Sequence, residues 1–269
     1  MDEYSSFFNT AGGGEGEKCK YPTRLDTYGC GCAHNCRYCY ARSLLDFRGL
    51  WHPDHPSIAS LKKIEKVLDT IEPGSVIRLG GMTDCLQPIE REHRVTYETL
   101  RMMQDRGIEP LIVTKSDLIR EYADLLSNAH VQVSITYTKE NPYGENAPGY
   151  RERKAAVEEL AQGGVDVQVR LSPFVPEYVD LDEVNSIGCD RIIVEFLRVS
   201  GFIRKWLDMD FRPYTYKEGS YRHLPLWHKK KLLRGLTKEI SVCEDVTKHY
   251  AYWRDHFNPN PDDCCNLRR

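Results

Sequence analysis

The sequence has no long hydrophobic run. No apolar stretch approaches the roughly 18 residues that a membrane-spanning helix needs, and mean hydropathy is −0.55. It also lacks an excess of either charge. With 37 Lys and Arg against 40 Asp and Glu, the formal net charge is −3. That balance excludes a protein that coats nucleic acid through its overall field and leaves only a local basic groove open. Residues 1–6 have neither the basic nor the apolar region of a secretory signal, so the reading places the chain in the cytoplasm with no membrane partner. No repeat of solenoid length is present, and no linker separates a second domain. Cysteine, by contrast, is plentiful, with ten in 269 residues. A reducing compartment does not maintain structural disulfides, so these thiols need another purpose.

From Val76 onward, short β-branched runs alternate with polar-apolar helical segments, the pattern of consecutive βα units. Strands are expected over 24–27, 76–80, 110–114, 131–137, 165–171 and 191–196, and helices over 58–71, 89–104, 116–127, 148–162 and 181–186. Asp105-Arg106-Gly107 and Gln162-Gly163-Gly164 act as helix stops, while Ser116-Asp117 opens a helix. Right-handed crossovers roll such units into an α/β fold, a six-unit (βα)6 partial TIM barrel with its active groups at the C-terminal ends of the strands. Residues 1–20, glycine-rich, read as a flexible N-terminal leader and 21–197 as the barrel core. Residues 198–269 read as a C-terminal helical cap, with helices over 226–240 and 244–256.

The cysteines are not scattered. Cys32, Cys36 and Cys39 form C-x3-C-x2-C directly after the first expected strand. Three thiolates on a tight loop can hold three corners of a cubane 4Fe-4S cluster and leave the fourth iron open, since full ligation takes four. A zinc knuckle that recruits Cys30 is the competing reading, although the single residue between Cys30 and Cys32 makes a poor chelate. Near the end, Cys243, Cys264 and Cys265 with His249 suffice in number for a second cluster or a zinc ion. The adjacent pair Cys264-Cys265 makes a strained chelate, and a radical quencher or plain packing are the alternatives.

With Tyr38 just before the third cysteine, the loop resembles that of the radical S-adenosylmethionine superfamily. The resemblance implies that the open iron binds the amino and carboxylate groups of S-adenosylmethionine. One electron, from a reductant such as flavodoxin or ferredoxin, then yields a 5'-deoxyadenosyl radical that abstracts a substrate hydrogen. Tyr38, Tyr40 and the strand ends offer the cofactor's partners. Gly80-Gly81-Met82-Thr83-Asp84 resembles the family's Gly-Gly-Glu motif, with Asp84 accepting from the methionine ammonium; an ordinary βα turn with an aspartate N-cap is the other reading. Lys115 suits the methionine carboxylate or a solvated helix start. Ser134 and Thr136 share a face by period two and suit ribose hydroxyls or a satisfied core. Arg170, a buried cation at the end of the fifth strand, needs an anionic partner that a bound carboxylate would provide.

Within the superfamily, several segments resemble the spore photoproduct lyase-like group. These are Cys36-Arg37-Tyr38-Cys39-Tyr40-Ala41, Thr83-Asp84 with Gln87-Pro88, Thr114-Lys115-Ser116-Asp117 and Arg170-Leu171-Ser172-Pro173, spread over residues 24–196. One departure matters. That group carries a hydrogen-donating cysteine just ahead of the Ser/Thr-Asp pair, where this chain has Gly81-Met82. Cys85, on the other side of Asp84, is the candidate catalytic donor or else a small buried residue. Glu195, Arg198 and Tyr216 are expected to meet the substrate. A compact acidic chain without an evident duplex groove points to a lyase that cleaves a C–C or C–N bond in a nucleobase-like small molecule. Similarity to the queuine lyases makes queuine, releasing a deazaguanine base, the concrete candidate. The alternatives are DNA-lesion repair or base modification, with salt-dependent DNA binding, and a zinc-stabilised binding protein without catalysis.

Overall fold

The β-branched runs do form strands. In the computed structural model, which describes residues 8–267, the main sheet has eight strands in chain order. They are β1 (Phe8–Thr10), β2 (Thr23–Leu25), β3 (Val76–Leu79), β4 (Glu109–Thr114), β5 (His130–Ile135), β6 (Asp166–Phe174), β7 (Arg191–Phe196) and β8 (Glu239–Val242). Only β1 runs antiparallel, against β2; every other pair is parallel. Sequential parallel neighbours are what right-handed βα crossovers produce. Among the described residues no helix is long and apolar enough to cross a membrane.

Strand alternation separates two environments. Leu25, Ile77, Leu79, Ile112, Val131, Val133, Ile135, Val169, Leu171, Ile192 and Val194 belong to the main core. The same core takes Ile64 and Leu68 of helix Leu61–Leu68, Leu100 and Met103 of Val95–Asp105, and Ala156, Val157 and Leu160 of Tyr150–Gln162. Their strand neighbours Arg24, Arg78, Val113, Ser134, Arg170 and Glu195 point to the other face and line a cavity. A parallel sheet is usually apolar on both faces. Here one face is largely polar, which marks it as the side that receives a ligand.

Several segments differ from the sequence reading. The 116–127 helix is a 3-10 helix, Asp117–Leu125, capped by Ser116 Oγ, which accepts from Leu118 N at 3.3 Å. The expected helix over 226–240 stops at Leu233, and Glu239–Val242 adds to β7 as an eighth, parallel strand with Glu239 opposite Arg191 and Val242 opposite Val194. Alternating Ile240 and Val242 with Ser241 and Cys243 suits that edge better than a second helical turn past Gly235. A β-hairpin, Tyr216–Glu218 with Tyr221–His223, also lies in the region expected to be helical. In the leader, Phe8–Thr10 pairs with β2 and Gly13–Lys18 is helical; residues 1–7 lie outside the described residues.

The C-terminal segment closes one end of the sheet's polar face. Asp263 accepts from Tyr21 OH at 2.6 Å and from Cys265 N at 2.9 Å, and Gln168 Nε2 donates to Cys265 O at 2.8 Å. Arg191 donates to Asn266 O and pairs with Asp166.

Candidate functional site

The cavity on the polar face has a volume of about 740 Å³, within the range of small-molecule sites. One wall is the cysteine loop. Two tight turns shape it, with Asn35 N donating to Cys32 O at 3.0 Å and Cys39 N to Cys36 O at 3.2 Å; Asn35 takes a left-handed φ of 47°. Gly31 is required where it stands, because a Cβ there would meet His52 O at 2.1 Å. Gln87 and Asn146 pin the loop from outside, the first accepting from Ala33 N at 2.9 Å and the second donating its N–H to His34 O at 2.8 Å. Cys32, Cys36 and Cys39 all line the cavity, and Cys30 does not. The Cys30 carbonyl instead accepts from His52 N at 2.8 Å. Three thiols without the fourth fit a three-cornered cluster and not a closed tetrahedral zinc site. Burial first, and the Asp84 carboxylate second, push the Cys32 thiol up to about 12. Such a thiol stays protonated until a metal takes the proton's place.

Beside the loop stands the turn after β3. Gly80 has φ +83°, and a Cβ there would lie 2.8 Å from Val113 O. The turn is held by a residue that the sequence reading missed. Asp26, fully buried at the end of β2, accepts from Gly81 N at 2.8 Å, Met82 N at 2.9 Å and Thr83 N at 3.3 Å. Burial raises its pKa in spite of these donors. Thr83 Oγ1 donates to Tyr28 O at 2.8 Å, and Tyr40 OH donates to Gly81 O. Asp84 reaches the cavity with its oxygens engaged. Oδ1 accepts from Thr114 Oγ1 at 2.7 Å and Leu86 N at 3.0 Å, and Oδ2 accepts from Lys115 N at 2.7 Å with His34 Nδ1 3.3 Å away, off line for a hydrogen bond. Burial alone would raise its pKa, but His34 and then Lys115 hold it below the ordinary carboxylate range. Asp84 thus contributes a fixed negative charge more than free acceptor oxygens.

Lys115 projects from the end of β4, its Nζ 5.5 Å from the centre of the Tyr38 ring. Burial opposes its charge, yet Cys36, Glu145 and Asp84 raise its pKa. Glu145, also missed from sequence, accepts from Tyr38 OH and pairs with the buried Arg153.

Arg170 and Glu195 form the far wall. Arg170 donates to Gln132 Oε1 and Glu195 Oε2, both at 2.8 Å, and Ser172 Oγ donates to Glu195 Oε2 at 2.9 Å. Arg198 bridges Glu195 Oε1 at 3.4 Å to Asp245 Oδ2 at 3.0 Å. Against burial, Arg170 and then Arg198 bring Glu195 down to about 2.

The structure therefore brings Tyr38, Tyr40, Gly80, Gly81, Thr83, Asp84, Lys115, Ser134, Arg170, Glu195 and Arg198 to one cavity with the three thiols. It corrects four expectations. Cys85 is fully buried and outside the lining, so the core reading holds and the donor reading does not. Thr136 falls past the end of β5, where alternation ceases, and its hydroxyl donates to Glu145 and accepts from Arg153, both at 3.3 Å. Tyr216 lies on the hairpin away from the cavity, its ring 4.5 Å from that of His249. The anion beside Arg170 is the chain's own Glu195, because β6 and β7 are neighbours and a buried guanidinium takes the nearest carboxylate. Arg24 and Arg78, side by side on β2 and β3, also line the cavity. Their signal was a charged residue inside each expected strand.

Comparison with known proteins agrees with this geometry. The Radical SAM superfamily model matches residues 27–188. An uncharacterised protein of Methanocaldococcus jannaschii is 26% identical over 208 residues, covering 70% of this chain and 75% of its own. One from Mycobacterium tuberculosis is 24% identical over 259 residues, covering 86% and 76%. Among solved structures, spore photoproduct lyase complexed with dinucleoside spore photoproduct superposes with a TM-score of 0.65 at 12% identity, covering 89% of this chain and 80% of that one. Streptococcus suis SuiB bound to precursor peptide SuiA gives 0.57 at 12% identity, covering 86% and 51%. The shared fold and the family match lead to one conclusion: the chain belongs to the radical SAM superfamily and is an enzyme whose cofactors are a 4Fe-4S cluster and S-adenosylmethionine.

Proposed function

We propose that the chain is a radical lyase that cleaves a C–C or C–N bond in a nucleobase-like small molecule, with queuine the first candidate. In this reading Cys32, Cys36 and Cys39 hold the cluster, and a flavodoxin- or ferredoxin-like protein reduces it. When bound, the cluster supplies one electron to the sulfonium of S-adenosylmethionine and so the radical that starts the reaction. The rest is done by this chain. The turn held by Asp26 places Gly80, Gly81 and Thr83 at the cavity wall, with Tyr38 and Tyr40 beside them. Lys115 supplies the positive charge that suits the methionine carboxylate, and Ser134 offers a hydroxyl to the ribose. Glu195, kept ionised and fixed by Arg170, presents an acceptor to the N–H groups of a base.

The observation that carries this reading is a cavity of about 740 Å³ between the thiol wall and Glu195. That volume suits the cofactor with one small molecule. A second reading, repair of a DNA lesion, draws on the fold shared with spore photoproduct lyase, whose structure carries a dinucleoside photoproduct. Anaerobic incubation of the reduced enzyme with S-adenosylmethionine and either queuine or irradiated DNA separates the two. Release of a deazaguanine base together with 5'-deoxyadenosine is the expected result. Turnover of irradiated DNA alone, weakening with salt, would establish the second reading, and turnover of neither would remove both substrates.

A further inference from the structure

Four cysteines outside the cluster loop meet at the cavity floor. Cys19 follows the helix Gly13–Lys18, Cys243 follows β8, and Cys264 and Cys265 belong to the terminal segment. All four pack with Tyr21, Leu111 and Ile193. The Cys264 thiol interacts with both Cys243 and Cys265, and Cys19 lies within the electrostatic reach of Cys243 and Cys265. All four are free thiols. The grouping differs from the one read in sequence. His249 is engaged elsewhere, 3.1 Å from Lys229 Nζ and tilted against the Tyr216 ring, and Cys19 takes its place.

Apolar packing alone does not account for what surrounds these thiols. Arg170, bonded to Glu195, also lies within the electrostatic reach of Cys243 and Cys265. Arg78 acts on both Cys19 and Cys265, and its buried Nε has no hydrogen-bond partner among the described residues. A divalent ion held by four thiolates carries a net charge of −2, which the Arg78 guanidinium offsets in part. Thiolate donors select zinc among abundant divalent ions, and a group in which Cys264 meets both Cys243 and Cys265 suits one tetrahedral ion, whereas a cubane places its thiolates on separate irons.

We propose that Cys19, Cys243, Cys264 and Cys265 form a closed structural zinc site that ties both ends of the chain to β8. Loading displaces four thiol protons by one Zn²⁺ and moves no electrons. Cys19, Cys243 and Cys264 line the cavity, which gives the ion its entry. Among the described residues no three ligating side chains already converge as around a single ion. The same holds for Cys32, Cys36 and Cys39, so thiol rotation on loading is common to both groups. The inference is independent of the proposed reaction.

The experiment is metal analysis of the full chain carrying Cys32→Ala, Cys36→Ala and Cys39→Ala, purified after growth with both iron and zinc. About one zinc per chain is expected, with zinc affinity falling roughly tenfold or more when Cys243→Ser or Cys264→Ser is added. Cobalt(II) in place of zinc should give sulfur-to-cobalt charge-transfer bands without any change at the four thiols, so a variant that fails to fold does not decide the matter. About four irons per chain would assign a second cluster and overturn the zinc site. Four freely titrating thiols with no bound metal and no cobalt spectrum would overturn it as well.

Discussion

Asp26 shows how one side chain holds a whole turn at the cavity wall. Its carboxylate takes three consecutive backbone N–H groups, and charge-assisted bonds of this kind are about twice as strong as neutral ones. Asp26→Asn keeps the shape and turns one carboxylate oxygen into an N–H donor. It should cost about 1–3 kcal/mol of stability in urea denaturation and weaken S-adenosylmethionine binding in titration calorimetry. The two groups of cysteines differ in the same single-residue way. Alanine at Cys32, Cys36 or Cys39 should abolish iron loading, whereas Cys30→Ala should spare it; iron lost from the Cys30 variant would mean that the ligands are misassigned. Glu195 carries a pH dependence with a definite sign. Its folded pKa, about 2, is below the unfolded value of about 4.3. Its contribution is therefore complete above the unfolded value and is lost as pH falls toward the folded one. Denaturation midpoints measured between pH 5 and pH 2.5 should fall less steeply in Glu195→Gln than in the wild type. The same variant should bind substrate more weakly while 5'-deoxyadenosine still forms; unchanged affinity would remove Glu195 from the site.

At the scale of elements, the turn after β3 depends on Gly80. Its φ of +83° and the 2.8 Å approach of a Cβ to Val113 O combine strain with a backbone clash. Gly80→Ala should destabilise the protein by about 1–3 kcal/mol, read from the thermal midpoint, and should reduce cofactor affinity more than Gly74→Ala, where nothing lies within 4 Å of a Cβ. Strands β4 to β7, six to nine residues long, were legible because β-branched runs carry their period locally. Glu239–Val242 was not. Four residues are too few to show a period, and they become a strand only because β7 offers an open edge. Ser116 marked its helix start correctly, yet the segment after it tightened into a 3-10 helix.

Across the whole molecule, the chain ends complete the cavity. Tyr21 and Asp263 bond across 242 positions of sequence, and Gln168 and Arg191 hold the segment after Asp263. A chain ending at Asn258 should lose about 1 kcal/mol for each such bond, with a lower thermal midpoint, while the loop with Cys32, Cys36 and Cys39 still loads iron; loss of that loading would show that the floor supports the cysteine loop. The sequence by itself determined the βα order, the C-x3-C-x2-C loop and the residues at each strand end, because spacing and period are local properties of the chain. Tertiary structure decided that Glu195 and no ligand neutralises Arg170, that Cys85 is buried, that Thr136 and Tyr216 miss the cavity, and that Cys19 joins Cys243, Cys264 and Cys265. Those outcomes follow from which strands become neighbours and from the face each side chain takes, and both are settled only when distant segments pack together.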